Sequence, residues 1–199
     1  MATITKLSDL DLNGSYNYAD YLTWRFEETV ELIKGKIFPM SPAPNVKHQQ
    51  ISFRMSGKFY NYFRNQPCRV FCAPFDVRLL DKKKTEKGDK NIYTVVQPDL
   101  CVICDKSKLD EQGCIGSPDL IVEILSKGNS KKEMRIKYDL YEETGVGEYW
   151  VVFPYEQVLQ QFILEKGKYQ LKGSFAEDDI FKAYLFSDLE IDLAEIFRE

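Results

Sequence analysis

The chain has 199 residues, 44% of them hydrophobic and 14% aromatic, and a formal net charge of −4. That is enough apolar material for a sizeable core in one globular domain. The acidic balance, with a pI near 5.3, argues against a strongly basic nucleic-acid binder while leaving room for a local basic cleft.

No apolar stretch approaches the length of a membrane span. The first residues, Met-Ala-Thr-Ile-Thr-Lys, hold no apolar signal core, so a cytoplasmic protein with no membrane partner is expected. Tyr16 to Thr29 predicts a short aromatic-rich helix. Val30 to Phe38 predicts a hairpin turning at Lys34-Gly35. Pro39, Pro42 and Pro44 make a rigid connector. Asn45 can cap a helix over about 46–65, whose inner stripe is His48, Ile51, Met55, Phe59 and Tyr62. Cys68 to Leu80 is rich in strand formers. Asp81 to Lys90 is a charge-dense loop without an apolar residue, read as a solvated tip ahead of a nucleic-acid contact.

Thr94 to Cys104, interrupted by Pro98, and Asp119 to Leu125 are nearly continuous apolar runs, the pattern of strands covered on both faces. Ser130 to Thr144 reads as one amphipathic helix, opened by a capping box of Ser130 and Glu133 and closed at Gly145 or Gly147. Glu148 to Phe153 is a further strand. Gln157 to Leu164 and Lys168 to Gly173 form a hairpin, and Leu185 to Phe197 an apolar cap. This order predicts an α/β fold with a mixed central β-sheet flanked by helices. The expected boundaries are a single domain over 1–199, with its core at about 30–155, an N-terminal helix-hairpin, and a C-terminal hairpin and cap over 156–199.

Five cysteines are an odd number, and reduced thiols are the simpler reading. Cys101 and Cys104 form a C-x-x-C that could join Cys68, Cys72 and Cys114 around zinc. Residues 101–104 read as a strand, however, and three residues along a strand point to opposite faces. A zinc-stabilised interaction domain is therefore a minor alternative.

The chemistry concentrates on three charges in apolar surroundings. Lys137 projects near the middle of the helix face formed by Met134, Ile136, Tyr138, Leu140 and Tyr141, where an ammonium is costly unless something negative meets it. Asp99 opens a strand directly after Gln97-Pro98, and Glu123 sits inside Ile121-Val-Glu-Ile-Leu125. A carboxylate in a buried strand needs a partner, a metal or a proton. One such acid is accounted for by a structural ion pair. Two on consecutive strands, with a lysine, point to a metal site, and hard oxygens suit magnesium or manganese better than zinc. Glu31, flanked by Val30, Leu32 and Ile33, is either a further acid of the site or an edge glutamate facing solvent. His48, the one histidine, is either a packed or capping side chain or a contact to the acids or a phosphate, and Gln49 shares those alternatives. Asp119, in a second Pro-Asp, reads as a turn residue.

Val96-Gln-Pro-Asp99 followed by Ser117-Pro-Asp-Leu-Ile-Val-Glu-Ile-Leu-Ser126 resembles the PD-(D/E)xK nuclease superfamily. In that pattern a lysine follows the second acid by two residues, where this chain has Leu125. With Tyr18-Ala-Asp-Tyr-Leu22, Val30-Glu-Leu-Ile-Lys-Gly35, Met40-Ser-Pro42, His48-Gln49, Lys137, Tyr141 and Glu148-Tyr-Trp150, the ordered set resembles a large bacterial family of restriction-endonuclease-like proteins, from about residue 16 onward. The resemblance implies that the lysine has moved to the following helix, where Lys137 stands, and that an acid belongs at Glu31. It further implies a magnesium- or manganese-dependent nuclease, acting on DNA as a homodimer. Asp99, Glu123 and Lys137 would be catalytic, and Asp99 and Glu123 would hold the metal. A basic cleft for that substrate would draw on Arg54, Lys58, Arg64, Lys131, Lys132, Arg135 and the 82–90 loop. The alternative is an inactive nuclease fold kept as a binding or scaffolding module, favoured by the acidic pI and the absent strand lysine.

Overall fold

Several of the turns between strands fall where a glycine takes up a left-handed conformation. In the first hairpin, β1 (Val30–Ile33) and β2 (Lys36–Pro39) pair antiparallel. Lys34 and Gly35 between them have φ of 51° and 81°, the two left-handed residues that a tight hairpin turn requires. The computed structural model describes residues 3–40, 44–81, 88–126 and 131–198. Its helices are α1 (Tyr18–Tyr21), α2 (Val46–Phe63), α3 (Lys131–Thr144) and α4 (Leu193–Phe197). The remaining strands are β3 (Arg69–Cys72), β4 (Val77–Arg78), β5 (Val95–Val96), β6 (Leu100–Ile103), β7 (Leu109–Asp110), β8 (Gly113–Ile115) and β9 (Leu120–Ile124). After α3 come β10 (Glu148–Phe153), β11 (Val158–Glu165), β12 (Lys168–Phe175), β13 (Ile180–Lys182) and β14 (Glu190–Asp192).

Two six-stranded sheets result. One runs β2-β1-β5-β4-β8-β7 and the other β12-β11-β10-β9-β6-β3. In the second sheet β9 and β10 are parallel and the other pairs antiparallel. A parallel pair needs a crossover, and α3 supplies it. Both faces of this sheet are covered, as the continuous apolar runs predict. Leu120, Val122, Trp150 and Val152 pack on Ile51, Met55 and Phe59 of α2 and on Leu193 and Ile196 of α4. Ile121, Tyr149 and Val151 face the other way, toward Leu140 and Tyr141 of α3 and Val77 and Val96 of the first sheet. The architecture is the expected α/β fold, with mixed sheets and flanking helices.

Asn45 caps α2 by accepting from the His48 N–H at 3.0 Å. The inner stripe is His48, Ile51, Met55, Phe59 and Phe63; Tyr62 is only partly buried. Gly145, at φ 95°, follows the end of α3. The capping box expected at its start involves Ser130, which lies outside the described residues, as does 82–87 of the charged loop.

Two expectations need correction. The aromatic helix over 16–29 shrinks to α1. A capping box between Asn17 and Asp20 fixes its start. Its end comes early because Trp24 leaves the helix to pack against Tyr16 and Tyr21, at ring separations of 5.4 and 5.5 Å. The cysteines are also not all reduced: Cys68 and Cys104 form a disulfide. The β3–β6 register pairs Arg69 with Ile103, so the next positions outward, Cys68 and Cys104, stand opposite each other. Cys101 and Cys104 lie on opposite faces, as strand geometry requires, and do not form a chelate.

Candidate functional site

Register brings the two strand acids together. Leu100 pairs with Val122, so one step further along the antiparallel ladder Asp99 stands opposite Glu123. Alternation along β9 turns Glu123 to the same side as Ile121, toward α3. There Lys137 donates to Glu123 Oε1 at 2.9 Å, and the Tyr141 hydroxyl donates to the same oxygen at 2.5 Å. Lys137 and Tyr141 are one helical turn apart, so the helix offers both to one carboxylate. Lys137 also donates to Glu31 Oε1 at 2.6 Å. That oxygen accepts from the backbone N–H of Gln97 as well, at 2.9 Å. One ammonium therefore joins three elements: β1, β9 and α3.

Glu31 is buried, so of its two sequence readings the solvent-facing one is wrong. The hairpin edge that would have exposed it is paired with β5 in the first sheet. Asp99 accepts from the Ile124 N–H at 2.7 Å through Oδ2, and its Oδ1 lies 3.3 Å from His48 Nε2. His48 is buried, and among the described residues its Nδ1 has no hydrogen-bond partner. Gln49, next to it, is exposed and lines the same cleft. Asp119 accepts from the Cys104 N–H at 2.8 Å, the structural turn role expected of it.

Electrostatics follow from this packing. Burial pushes Glu123 up to about 7, against the pull of Lys137, with the neighbouring Asp99 and Glu31 charges adding to the rise. For Lys137 burial works against the ammonium, but Glu123 and Glu31 outweigh it and hold its pKa above the ordinary lysine value. Lys137 is therefore a cation here and not the proton acceptor that burial alone would have made it. His48 is raised too: burial lowers it, and the hydrogen bond and charge of Asp99 overcome that. Burial also holds the Tyr141 hydroxyl protonated, with Glu123 reinforcing it.

These groups lie in a cleft of about 540 Å³. Their side chains are recessed: Asp99 is 19% exposed, Glu123 15% and Lys137 18%. Among the described residues no three histidine, cysteine, aspartate or glutamate side chains converge to hold a metal as they stand. The donor set nonetheless fits a hard divalent cation. Asp99 and Glu123 are adjacent carboxylates, and among the described residues both hydrogen bonds to Glu123 land on Oε1, leaving Oε2 without a protein partner. Sequence reasoning did not assign Tyr141 or Gln97 a place in this network. The four-residue spacing from Lys137 was the available signal for Tyr141; for Gln97, whose contact is through its backbone, there was none.

The basic cleft expected from the sequence is only partly available. Arg54 donates to the carbonyls of Ile196 and Arg198, and Lys58 pairs with Glu195, so both fasten α4.

Comparison with known proteins adds three findings. The model of the Uma2 family, described as "Putative restriction endonuclease", matches residues 18–194. A solved structure titled as a putative nuclease belonging to DUF820, from Anabaena variabilis ATCC 29413, superposes with a TM-score of 0.69 at 21% identity. That alignment covers 92% of this chain and 97% of the other. No curated protein matches the chain.

Proposed function

The chain belongs to the Uma2 family, and from that premise and the geometry of the cleft we propose that it is a metal-dependent nuclease hydrolysing phosphodiester bonds, with DNA as its substrate. The observation that carries this reading is the pair of adjacent recessed carboxylates, Asp99 and Glu123, with the Lys137 ammonium 2.9 Å from the second. Asp99 and Glu123 would hold magnesium or manganese, which supplies Lewis acidity and charge neutralisation at the phosphate. Lys137, kept cationic, stabilises the negative charge that builds on the phosphoryl oxygens as water attacks and the P–O bond breaks. Glu31 holds the other side of that ammonium and so fixes where it points. His48 holds Asp99, and Gln49, exposed beside it, is assigned contact with the substrate phosphate.

We keep the homodimer and the cytoplasm in this reading. The open edge of β12 supports the first, and light scattering on the purified protein tests it. Among the described residues no helix is long and apolar enough to cross a membrane. The disulfide is the one feature more at home in an oxidising compartment.

One observation favours the binding-module alternative: Lys137 already pairs with both Glu31 and Glu123, so the cluster holds a cation of its own without a metal. Thermal melting of EDTA-treated protein separates the two. Metal at about a hundred times its Kd stabilises by about 2.7 kcal/mol, a rise in Tm of roughly 5–10 °C for a chain of this size. The rise should vanish in Asp99→Ala and Glu123→Ala. A parent that ignores millimolar magnesium and manganese would be a binding module.

A further inference from the structure

The walls of the cleft say which form of nucleic acid can reach its floor. Among the described lining residues four are acidic, Glu31, Asp99, Glu123 and Glu133, and Lys137 is the single lysine or arginine. That lysine is engaged by two of the acids. The walls above are apolar: Phe38, Met40 and Pro44 come from β2 and the segment after it, and Met134 and Ile136 from α3. Pro44 is exposed, and Phe38, Met40, Met134 and Ile136 are half-buried.

A duplex binder takes most of its affinity from lysines and arginines that neutralise many phosphates along a rigid rod. Among its described residues this lining has no such cation to spare. A cleft of about 540 Å³ has the size of a small-molecule pocket, about 300–1,000 Å³, and a rod of stacked base pairs cannot enter it. Acids less than a fifth exposed are recessed from the surface that the phosphates of a rigid rod would meet first. A single strand escapes all three objections. It bends, it brings one phosphate at a time, and its unstacked bases gain from apolar walls.

We propose that the cleft takes an unpaired strand, one nucleotide at the acids with its base against the Met40 and Ile136 walls, and that paired duplex is excluded. This rests on the hydrolytic reading above. The test offers the parent protein, with magnesium or manganese, one labelled sequence in three forms: single strand, perfect duplex, and duplex with an internal bulge. Cleavage of the single strand and the bulge at least about tenfold faster than the duplex is expected. Duplex cut as fast as single strand overturns the inference and leaves the nuclease reading standing. If nothing is cut, fluorescence anisotropy on the same three forms, with calcium in place of magnesium, decides. A preference for the single strand upholds the cleft's occupant and removes hydrolysis; equal or absent binding removes both. Met40→Glu, at a half-buried wall position, should raise KM for the single strand several-fold with its melting temperature little changed. An unchanged KM in that variant also overturns the proposal.

Discussion

Without the Lys137 ammonium, two carboxylates from different sheets would share a recessed space with no cation between them. Breaking a buried pair by deleting one partner costs about 3–5 kcal/mol, and since Lys137 is 18% exposed the low end, about 3 kcal/mol, is expected for Lys137→Met near neutral pH. The pH dependence has a definite sign. Glu123 is held up to about 7 in the fold, above its ordinary 4.5, so the folded state binds that proton more tightly than the unfolded chain. Its ionisation therefore costs stability as pH rises from about 4.5 to 7. Lys137 normally opposes that rise, so removing it strengthens the effect. The deficit of Lys137→Met relative to the parent should shrink between about pH 8 and pH 5, measured by denaturant melts in EDTA. A deficit that grows on acidification would mean that Glu123 is not the group left stranded. His48 runs the same way: its raised pKa means that its pairing with Asp99 stabilises below about 6.5 and is lost as pH rises through the folded value. His48→Gln should thus lose more melting temperature in acid than in base. Lys137 was legible from the sequence because a helical wheel needs only local spacing. Glu31 stood among the candidate acids, but its pairing with Lys137 was not legible, because a glutamate 106 residues away reaches the lysine only after two sheets have packed.

At the scale of an element, β10 shows why a buried acid is not enough to mark a site. Glu148 is fully buried, yet alternation turns it away from Glu123, to the face shared by Trp150 and Val152. It accepts from Trp150 Nε1 and Gln161 Nε2, each at 2.7 Å, and from the N–H groups of Tyr184 and Leu185 at 3.0 and 2.8 Å. The carboxylate is a clamp that holds the segment before β14 against the sheet. Glu148→Ala leaves these donors buried without an acceptor and should cost about 3 kcal/mol or more. Glu148→Gln, which keeps one acceptor oxygen but sets an amide against a donor, should fall between that and the parent. Urea midpoints at constant slope would show this; a loss below about 1 kcal/mol in Glu148→Ala would mean that water replaces the clamp. The sequence marked Glu148-Tyr-Trp150 only through resemblance, because its partners lie in a segment with no strong periodicity of its own. By contrast the hairpins at Lys34-Gly35 and Lys166-Gly167 and the cap at Asn45 rest on local chemistry, and the chain showed each of them directly. The α1 region misled for a local reason too: helical spacing of aromatics did not reveal that Trp24 finds better packing outside the helix.

For the whole molecule the question is how an acidic protein handles a polyanion. The chain carries 27 lysines and arginines against 31 aspartates and glutamates, and many of the basic groups are already engaged. Arg78 pairs with Asp110, Lys58 with Glu195, Lys168 with Glu142, Lys172 with Glu165 and Lys182 with Glu190. Each cation that meets a phosphate releases counterions, so the logarithm of affinity for a single strand falls with the logarithm of salt at a slope of about −0.7 per neutralised phosphate. A cleft that relies on Lys137 and at most one further cation should give a slope of about −0.7 to −1.4, far shallower than a nuclease that grips a duplex backbone. Single-strand affinity of the Lys137→Met protein, measured across a salt series with calcium present, should lose roughly one such increment. A parent slope steeper than about −4 would require further cations beyond the described lining of the cleft, and the stretch 82–90, with five lysines in nine residues of sequence, would be the first to neutralise. Replacing those lysines by serine would then flatten the slope by about 0.7 for each one in contact. The acidic pI is in this sense a statement about mechanism: weak long-range attraction leaves selection to the shape of the cleft and to the cation at its floor.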